Sequence, residues 1–146
     1  MIFEGVNDIG TAGADVQSQT VVYDRLIAAY SQIITRVHTF GIPVFGATIT
    51  PFSLPGMASS SSQPYSDATR EATRQKVNQW IRESGEFDAV VDFDAAVRDP
   101  QRQETLNRIY DSGDYLHLNV AGYERMAQQF PIEVFEQFRD GVTGFE

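Results

Sequence analysis

The sequence predicts an α/β protein built on an open parallel sheet, and three observations carry that prediction. Stretches with helical periodicity alternate with short β-rich runs, the order expected when parallel strands are joined by crossover helices. The runs "IPVFGATITPF" from Ile42 and "FDAVVDF" from Phe87 are too branched and too short for helices and are apolar almost throughout, as strands buried on both faces are. The conspicuous polar residues fall just beyond the carboxyl ends of such runs, where open α/β sheets bind ligands.

The elements follow in order. Met1, Ile2 and Phe3 form a short first strand, and the Gly-Val-Asn-Asp after Glu4 reads as a tight turn, because Asn and Asp bond readily to nearby backbone. From Val16 to Phe40 the residues Val22, Leu26, Ile27, Tyr30, Ile33, Ile34 and Val37 recur at the three-and-four spacing of one helical face, with Gly41 as the stop. His38 lies in the last turn of that helix, where a partial positive charge is favourable, so its role is read as structural. The strand from Ile42 follows, closed by Pro51, with Gly46 leaving room for a helix to approach. "SLPGMASSSSQPYSD" is rich in Ser, Gly and Pro and reads as an exposed loop. Asp67 or Ser66 then caps a helix with the stripe Ala68, Ala72, Val77, Trp80 and Ile81, ended by Gly85. After the second buried strand, Asn119 caps a last helix through Ala121, Met126, Ala127 and Phe130 towards Phe138, with a kink or break at Pro131. No repeat or linker divides the chain, so one domain spanning residues 1–146 is expected.

Composition narrows the classes. At 146 residues with 42% apolar and 12% aromatic content, the chain can bury a sizeable core. A net charge of −9 opposes nucleic acid and anionic membrane surfaces, so neither is expected as a partner. No apolar stretch approaches the roughly 20 residues that span a bilayer, and the N-terminus lacks the pattern of a signal peptide. A soluble chain is expected, with its compartment open. The absence of cysteine removes disulfides, thiolate metal sites and a Cys nucleophile together.

The rim beyond the strands gathers Asn7, Thr50, Asp92, Asp94, Asp114 and His117, and several of these fit acyl transfer. An ester is cleaved when a base deprotonates a nucleophile and the oxyanion meets fixed donors. His117 is the best base in the chain, and Asp114, three residues earlier, can hold one ring nitrogen and stabilise the imidazolium. Asn7 offers a side-chain NH2 to an oxyanion, and Gly5 lets backbone approach closely. No cofactor and no metal is called for. Asp92 and Asp94 look like the paired aspartates of haloacid-dehalogenase-like phosphatases, but Val97 stands three residues after the second Asp where a Thr or Val is expected at two. The run Ser59 to Ser62 reads as solvated loop.

The two ends of the chain together carry a resemblance. "GVNDIG" resembles the third conserved block of the SGNH or GDSL hydrolases, and "DSGDYLHLNVAGY" resembles their fifth. "GIPVFGATITPF" and "RQKVNQWIRESGEFDAVVDFDAAVRDP" are similar to the middle of the esterases grouped near acetyl xylan esterases. The likeness runs from Ile2 to about Phe130. It implies a three-layer flavodoxin-like fold and a serine esterase, with Asn7 in the oxyanion site, His117 as base and Asp114 as its orienting acid. It also implies a small ester or acylated carbohydrate as substrate. Leu118 and Val120 stand where such proteins often have Pro and Asp; neither change removes a catalytic atom.

The family's Gly-Asp-Ser nucleophile motif occurs nowhere in the chain, and Ser112-Gly113-Asp114 has the wrong order. The resemblance therefore implies the C-terminal two-thirds of the fold, beginning inside the third strand, and very low activity for this chain alone. Loss of the preceding strands would leave an apolar sheet edge, which seeks pairing with a second copy or with a complementary N-terminal segment. A non-catalytic oligomerising or interaction domain derived from a hydrolase is the alternative.

Overall fold

The computed structural model describes residues 1–58 and 60–136. The chain enters its sheet at once. Ile2 pairs in parallel with Gly46, donating its N–H to the Phe45 carbonyl at 2.8 Å and accepting from the Ala47 N–H at 2.9 Å. Strand β1 (Phe45–Ala47) pairs on its other side with β2 (Ala89–Val91), also in parallel, with Gly46 opposite Val90. The spatial order is Ile2, β1, β2, and every residue of β1 is buried.

β1 is shorter than the apolar run that contains it. Beyond Ala47 its ladder closes, and the backbone groups of the following residues find other partners. The Thr48 N–H donates to the Val91 carbonyl at 3.1 Å, that of Ile49 to Asn78 Oδ1 at 2.7 Å, and that of Ser53 to the Glu104 carbonyl at 3.1 Å. Ile42 is 50% exposed, but from Val44 to Ser53 the chain is buried except at half-buried Thr50, so the run predicts burial over most of its length and strand only in part; buried amides need partners, but not strand partners. Gly46 does make room, though for a ring rather than a helix: a Cβ there would stand 2.6 Å from Phe87 Cδ2.

The Gly-Val-Asn-Asp stretch is the start of a helix, α1 (Val6–Thr11), and not an isolated turn. Helix α2 (Val16–His38) starts at Asp15, whose side chain accepts the Ser18 N–H at 2.9 Å, and buries Gln19, Leu26, Tyr30 and Ile34. Ile33, counted in the apolar face, is 43% exposed. Helix α3 (Ala68–Glu83) is capped by Asp67, as expected. Its buried face differs from the predicted stripe: Ala68 and Ala72 are exposed, and Glu71, Thr73, Arg74 and Asn78 join Val77 and Ile81 inside. Asp92 caps α4 (Phe93–Val97) and Asn119 caps α5 (Val120–Ala127). The last helix breaks around Pro131, as expected, and resumes as α6 (Ile132–Glu136); Phe138 lies outside the described residues.

Two apolar clusters cover the sheet from opposite sides. Ile9, Leu26, Tyr30, Ile34, Val77 and Ile81 bring α1, α2 and α3 against Val44 and Ile49. Phe93, Ala96, Val97, Leu106 and Met126 bring α4, α5 and the connection between them against Ala47 and Val91. The result is the predicted layering of helices, parallel sheet and helices. The loop before α3 is less exposed than its composition suggests. Gln63 is 2% and Ser66 0% exposed, because Ser66 Oγ accepts the Leu54 N–H at 2.9 Å and closes the loop at its base. His38 pairs through Nε2 with Asp88 Oδ2 at 2.8 Å, and the same oxygen accepts the Val44 N–H at 2.6 Å; the tie between the end of α2 and the sheet matches the structural reading. Among the described residues no helix is long and apolar enough to cross a membrane.

A buried charge cluster joins the layers. Arg74, fully buried, bonds Glu71 through Nε at 2.8 Å and Nη2 at 2.6 Å, and Asp94 and the Ile49 carbonyl through Nη1 at 2.6 and 2.9 Å. Asp94 also accepts from Arg82 at 2.7 Å and Arg98 at 3.1 Å. Arg82 further bonds both oxygens of Asp92. Burial pulls the Asp92 pKa upward, but the Arg82, Ala95 and Thr48 hydrogen bonds outweigh it and hold the group at about 2. Guanidinium groups thus occupy the carboxylate oxygens that a phosphatase site would need free, which removes the resemblance of Asp92 and Asp94 to that chemistry. Arg74→Ala should cost about 3–5 kcal/mol, the penalty of stranding buried carboxylates, measured by urea unfolding.

Candidate active site

Asp114 and His117 lie on a tight turn whose ends pair as an antiparallel bridge between Asp111 and Leu118. The Ser112 N–H donates to the His117 carbonyl at 2.9 Å, and the Asn119 N–H to the Tyr110 carbonyl at 2.8 Å. The sequence makes this turn locally. Gly113 takes φ of 113° and Tyr115 the left-handed φ of 60°, a conformation that costs a non-glycine residue energy unless its surroundings hold it. Asp111 Oδ1 does so by accepting the Gly113 and Tyr115 N–H groups, each at 3.0 Å.

Inside that turn Asp114 orients the imidazole. Its Oδ2 stands 2.7 Å from His117 Nδ1. Its Oδ1 accepts the His117 N–H at 2.8 Å, the Leu116 N–H at 2.9 Å and the Ser112 hydroxyl at 3.1 Å. Burial pushes the Asp114 pKa up, but donation from the His117 ring, the His117 and Leu116 amides and Ser112 together holds it well below the usual carboxylate range. An ionised Asp114 keeps the proton of a neutral imidazole on Nδ1, so that Nε2 presents a lone pair.

Asn7 arrives from the other end of the chain. Gly5, buried and at φ of 119°, caps α1 and swings the backbone out of the sheet. A Cβ at Gly5 would stand 2.8 Å from Ile49 Cδ1 and 3.1 Å from the Tyr30 hydroxyl, so the close approach the sequence suggested is to the core. Tyr30 fixes the turn by donating to the Glu4 carbonyl at 2.7 Å, and burial with nearby Asp8 and Glu4 keeps its hydroxyl protonated. Two residues on, Asn7 Oδ1 accepts the Tyr65 hydroxyl at 3.1 Å. The amide group left over is the NH2, a donor.

Asn7 and His117 line one cleft of about 190 Å³, together with Phe3, Val6, Thr50, Leu116, Leu118, Tyr123 and Met126. Its lining is largely apolar, and the polar side chains in it are Asn7, Thr50, His117 and Tyr123. Of the rim residues picked out in the sequence, Asn7, Thr50 and His117 meet here, Asp114 stands behind His117, Gly5 sits beneath the turn, and Asp92 and Asp94 belong to the arginine cluster instead. Tyr65 and Gln63 escaped sequence reasoning because they lie in a stretch dominated by small polar residues. An aromatic after Pro64 in such a loop was the available signal.

The profile of the GDSL-like lipase/acylhydrolase family matches residues 1–125. The chain belongs to that family. A candidate acylhydrolase of Bacteroides fragilis, known from its crystal structure, has the same fold as this GDSL-like chain at 17% identity, with a TM-score of 0.55 over 83% of this chain and 53% of that one. The chain thus spans about half the length of that relative. No curated protein matches it.

Because Asp114 titrates below its unfolded value, its contribution to stability is complete at neutral pH and is lost as pH falls through and below the ordinary carboxylate range. Carbonyl NMR of Asp114 should show the group still ionised where unperturbed aspartates protonate. His117→Ala should move the midpoint upward, part of the way, since the backbone donors remain.

Proposed function

We propose that this chain carries the acid and base half of a serine esterase site: His117 as general base, Asp114 as its orienting carboxylate and Asn7 as an oxyanion donor. The GDSL-like family supports ester hydrolysis at a general level. The observation that carries the assignment of residues is the meeting of Asn7 and His117 on one cleft. In the reaction His117 Nε2 takes the proton of an attacking hydroxyl as its oxygen bonds to the ester carbonyl carbon. The carbonyl oxygen gains negative charge beside the Asn7 NH2. Collapse breaks the bond to the alcohol, which leaves with the proton from His117. The substrate class is a short acyl ester, acetyl above all, with carbohydrate as the alcohol, following the likeness to esterases near the acetyl xylan group. A cleft of about 190 Å³ holds roughly six groups the size of water, and its apolar wall suits the acyl side.

The chain holds no Gly-Asp-Ser string, and the nucleophile is proposed to come from a preceding segment of the fold, with residues 1–146 forming a single unit of it. Turnover by the chain alone is then limited to water attack assisted by His117 and Asn7. Slow p-nitrophenyl acetate hydrolysis is expected, insensitive to fluorophosphonates, and His117→Ala should reduce it to the uncatalysed background. Equal rates in the two proteins would remove His117 from the chemistry.

A second reading, an oligomerising or interaction domain, draws on the sheet edge. Among the described residues Ile2 is paired only towards β1, and Met1 and Phe3 beside it are 58% and 38% exposed. Such an edge accepts a strand, either from another copy or from a complementary N-terminal segment. Light scattering after size exclusion should find dimers or larger species at micromolar concentration; a well-folded monomer would exclude self-association.

A further inference from the structure

We propose that Gln63 and Tyr65 are positioning residues that hold the two halves of the candidate site in one frame. The inference rests on the assignment of Asn7 and His117 to a single site. Those residues come from opposite ends of the chain, and each half is well bonded within itself, but their relative placement needs something that touches both.

The segment Gln63-Pro64-Tyr65 touches both. Gln63, 2% exposed, donates from Nε2 to the Asp114 carbonyl at 3.4 Å and the Tyr115 carbonyl at 3.3 Å. It thereby grips the backbone of the turn that aims His117, at the residue with left-handed φ. Its Oε1 accepts the Tyr65 N–H at 3.1 Å, so the same side chain sets the start of Tyr65. The Tyr65 hydroxyl donates to Asn7 Oδ1 at 3.1 Å, which fixes the Asn7 amide with its NH2 unspent. The Tyr65 ring is wedged in place: a Cβ at Gly10 of α1 would stand 2.3 Å from Tyr65 Cδ2, and Phe52, itself fully buried, meets the ring edge-on with centroids 6.3 Å apart.

Arg70 clamps the segment to α1. Its Nη1 donates to the Pro64 carbonyl at 2.6 Å and its Nη2 to the Ala12 carbonyl at 2.7 Å. Backbone at the end of α1 and backbone between Gln63 and Tyr65 are thus bonded to one planar group, which resists sliding of the loop along the helix. Exposed solvated loop would leave these donors and acceptors to water. Here they are spent on the two segments that bear Asn7 and His117.

Gln63 and Tyr65 are separable by experiment because Gln63 reaches both halves and the Tyr65 hydroxyl only one. The test is NMR of the labelled whole chain as wild type, Tyr65→Phe, Gln63→Met and, as control, Gln79→Ala, whose exposed side chain bonds Glu83 on α3. Tyr65→Phe should shift the Asn7 side-chain NH2 signals and lower their order parameter from about 0.85 towards 0.6 or less, while the Asp114 to His117 amides stay in place. Gln63→Met keeps volume without the hydrogen bonds; it should move the Asp114 to His117 amides, the His117 ring signals and the Asn7 NH2 together. Gln79→Ala should move none of them. An unmoved Asn7 NH2 in Tyr65→Phe overturns the proposal, as does a Gln63→Met spectrum in which only the Asp114 turn responds. If Gln63→Met fails to fold, Tyr65→Phe, which removes a single oxygen, decides alone. None of these signals needs turnover, so loss of the assignment of His117 to ester chemistry and failure of this proposal are read separately.

Discussion

The Arg74 guanidinium is the interaction on which the rest of the structure leans. The chain leaves β1 after three paired residues and stays largely buried to Ser53, and once the Thr48 N–H has met the Val91 carbonyl of β2 its backbone groups require partners other than a strand. Arg74 and Asn78, on one face of α3, both bond the Ile49 carbonyl, and Asn78 also takes the Ile49 N–H. The same guanidinium holds Glu71 on its own helix, Asp94 on α4 and the Gln103 carbonyl beyond. One cation therefore satisfies groups from four segments on both sides of the sheet. A buried charge is tolerated only when paired and hydrogen-bonded in this way, and an apolar replacement could match its volume but not its geometry.

That constraint reaches the candidate site through the path of the chain. By holding residues 48–53 close beneath α3, it sets Thr50 in the cleft wall and Ile49 under Gly5. Gly5 then turns the backbone sharply enough for α1 to begin at the rim, with Asn7 in its first turn. The Asp114 turn needs no such support for its internal shape, since its own aspartates cap its amides. What it needs is a direction relative to α1, and the Gln63 to Tyr65 segment supplies it. Local geometry and global placement are thus carried by different residues.

Much of this was legible in the sequence. Asp67 and Asn119 were readable as caps because a cap bonds to amides two or three residues on. Asp114 and His117 are readable as a pair because three residues on a turn bring them within reach, whereas Gly5, expected to bring backbone close to an oxyanion, turns the chain against Ile49 and Tyr30. The α2 face followed from periodicity and the two strands from short branched apolar runs, but only the first is buried throughout; Ala89 and Val90 of β2 are half-buried. The misreadings share one cause. The pattern of α3 predicts an apolar face through Ala68 and Ala72, whereas Glu71, Arg74 and Asn78 stand inside beside Val77 and Ile81, polar residues whose burial depends on tertiary partners. Composition predicts an exposed loop before α3 because Ser and Gly drive no packing, yet Gln63 and Ser66 are inside because backbone elsewhere bonds to them.

The sequence by itself determined helices α2 and α3, the caps Asp67 and Asn119, the layered order and the local pairing of Asp114 with His117, since most of these depend on neighbours within a turn or two. Only the tertiary structure decided which polar residues are buried, where β1 stops, and that Asn7, Thr50 and His117 share a cleft. Those outcomes rest on hydrogen bonds between residues distant in sequence, such as Tyr65 to Asn7 and Arg74 to Asp94, and no local pattern encodes a partner that only folding brings near.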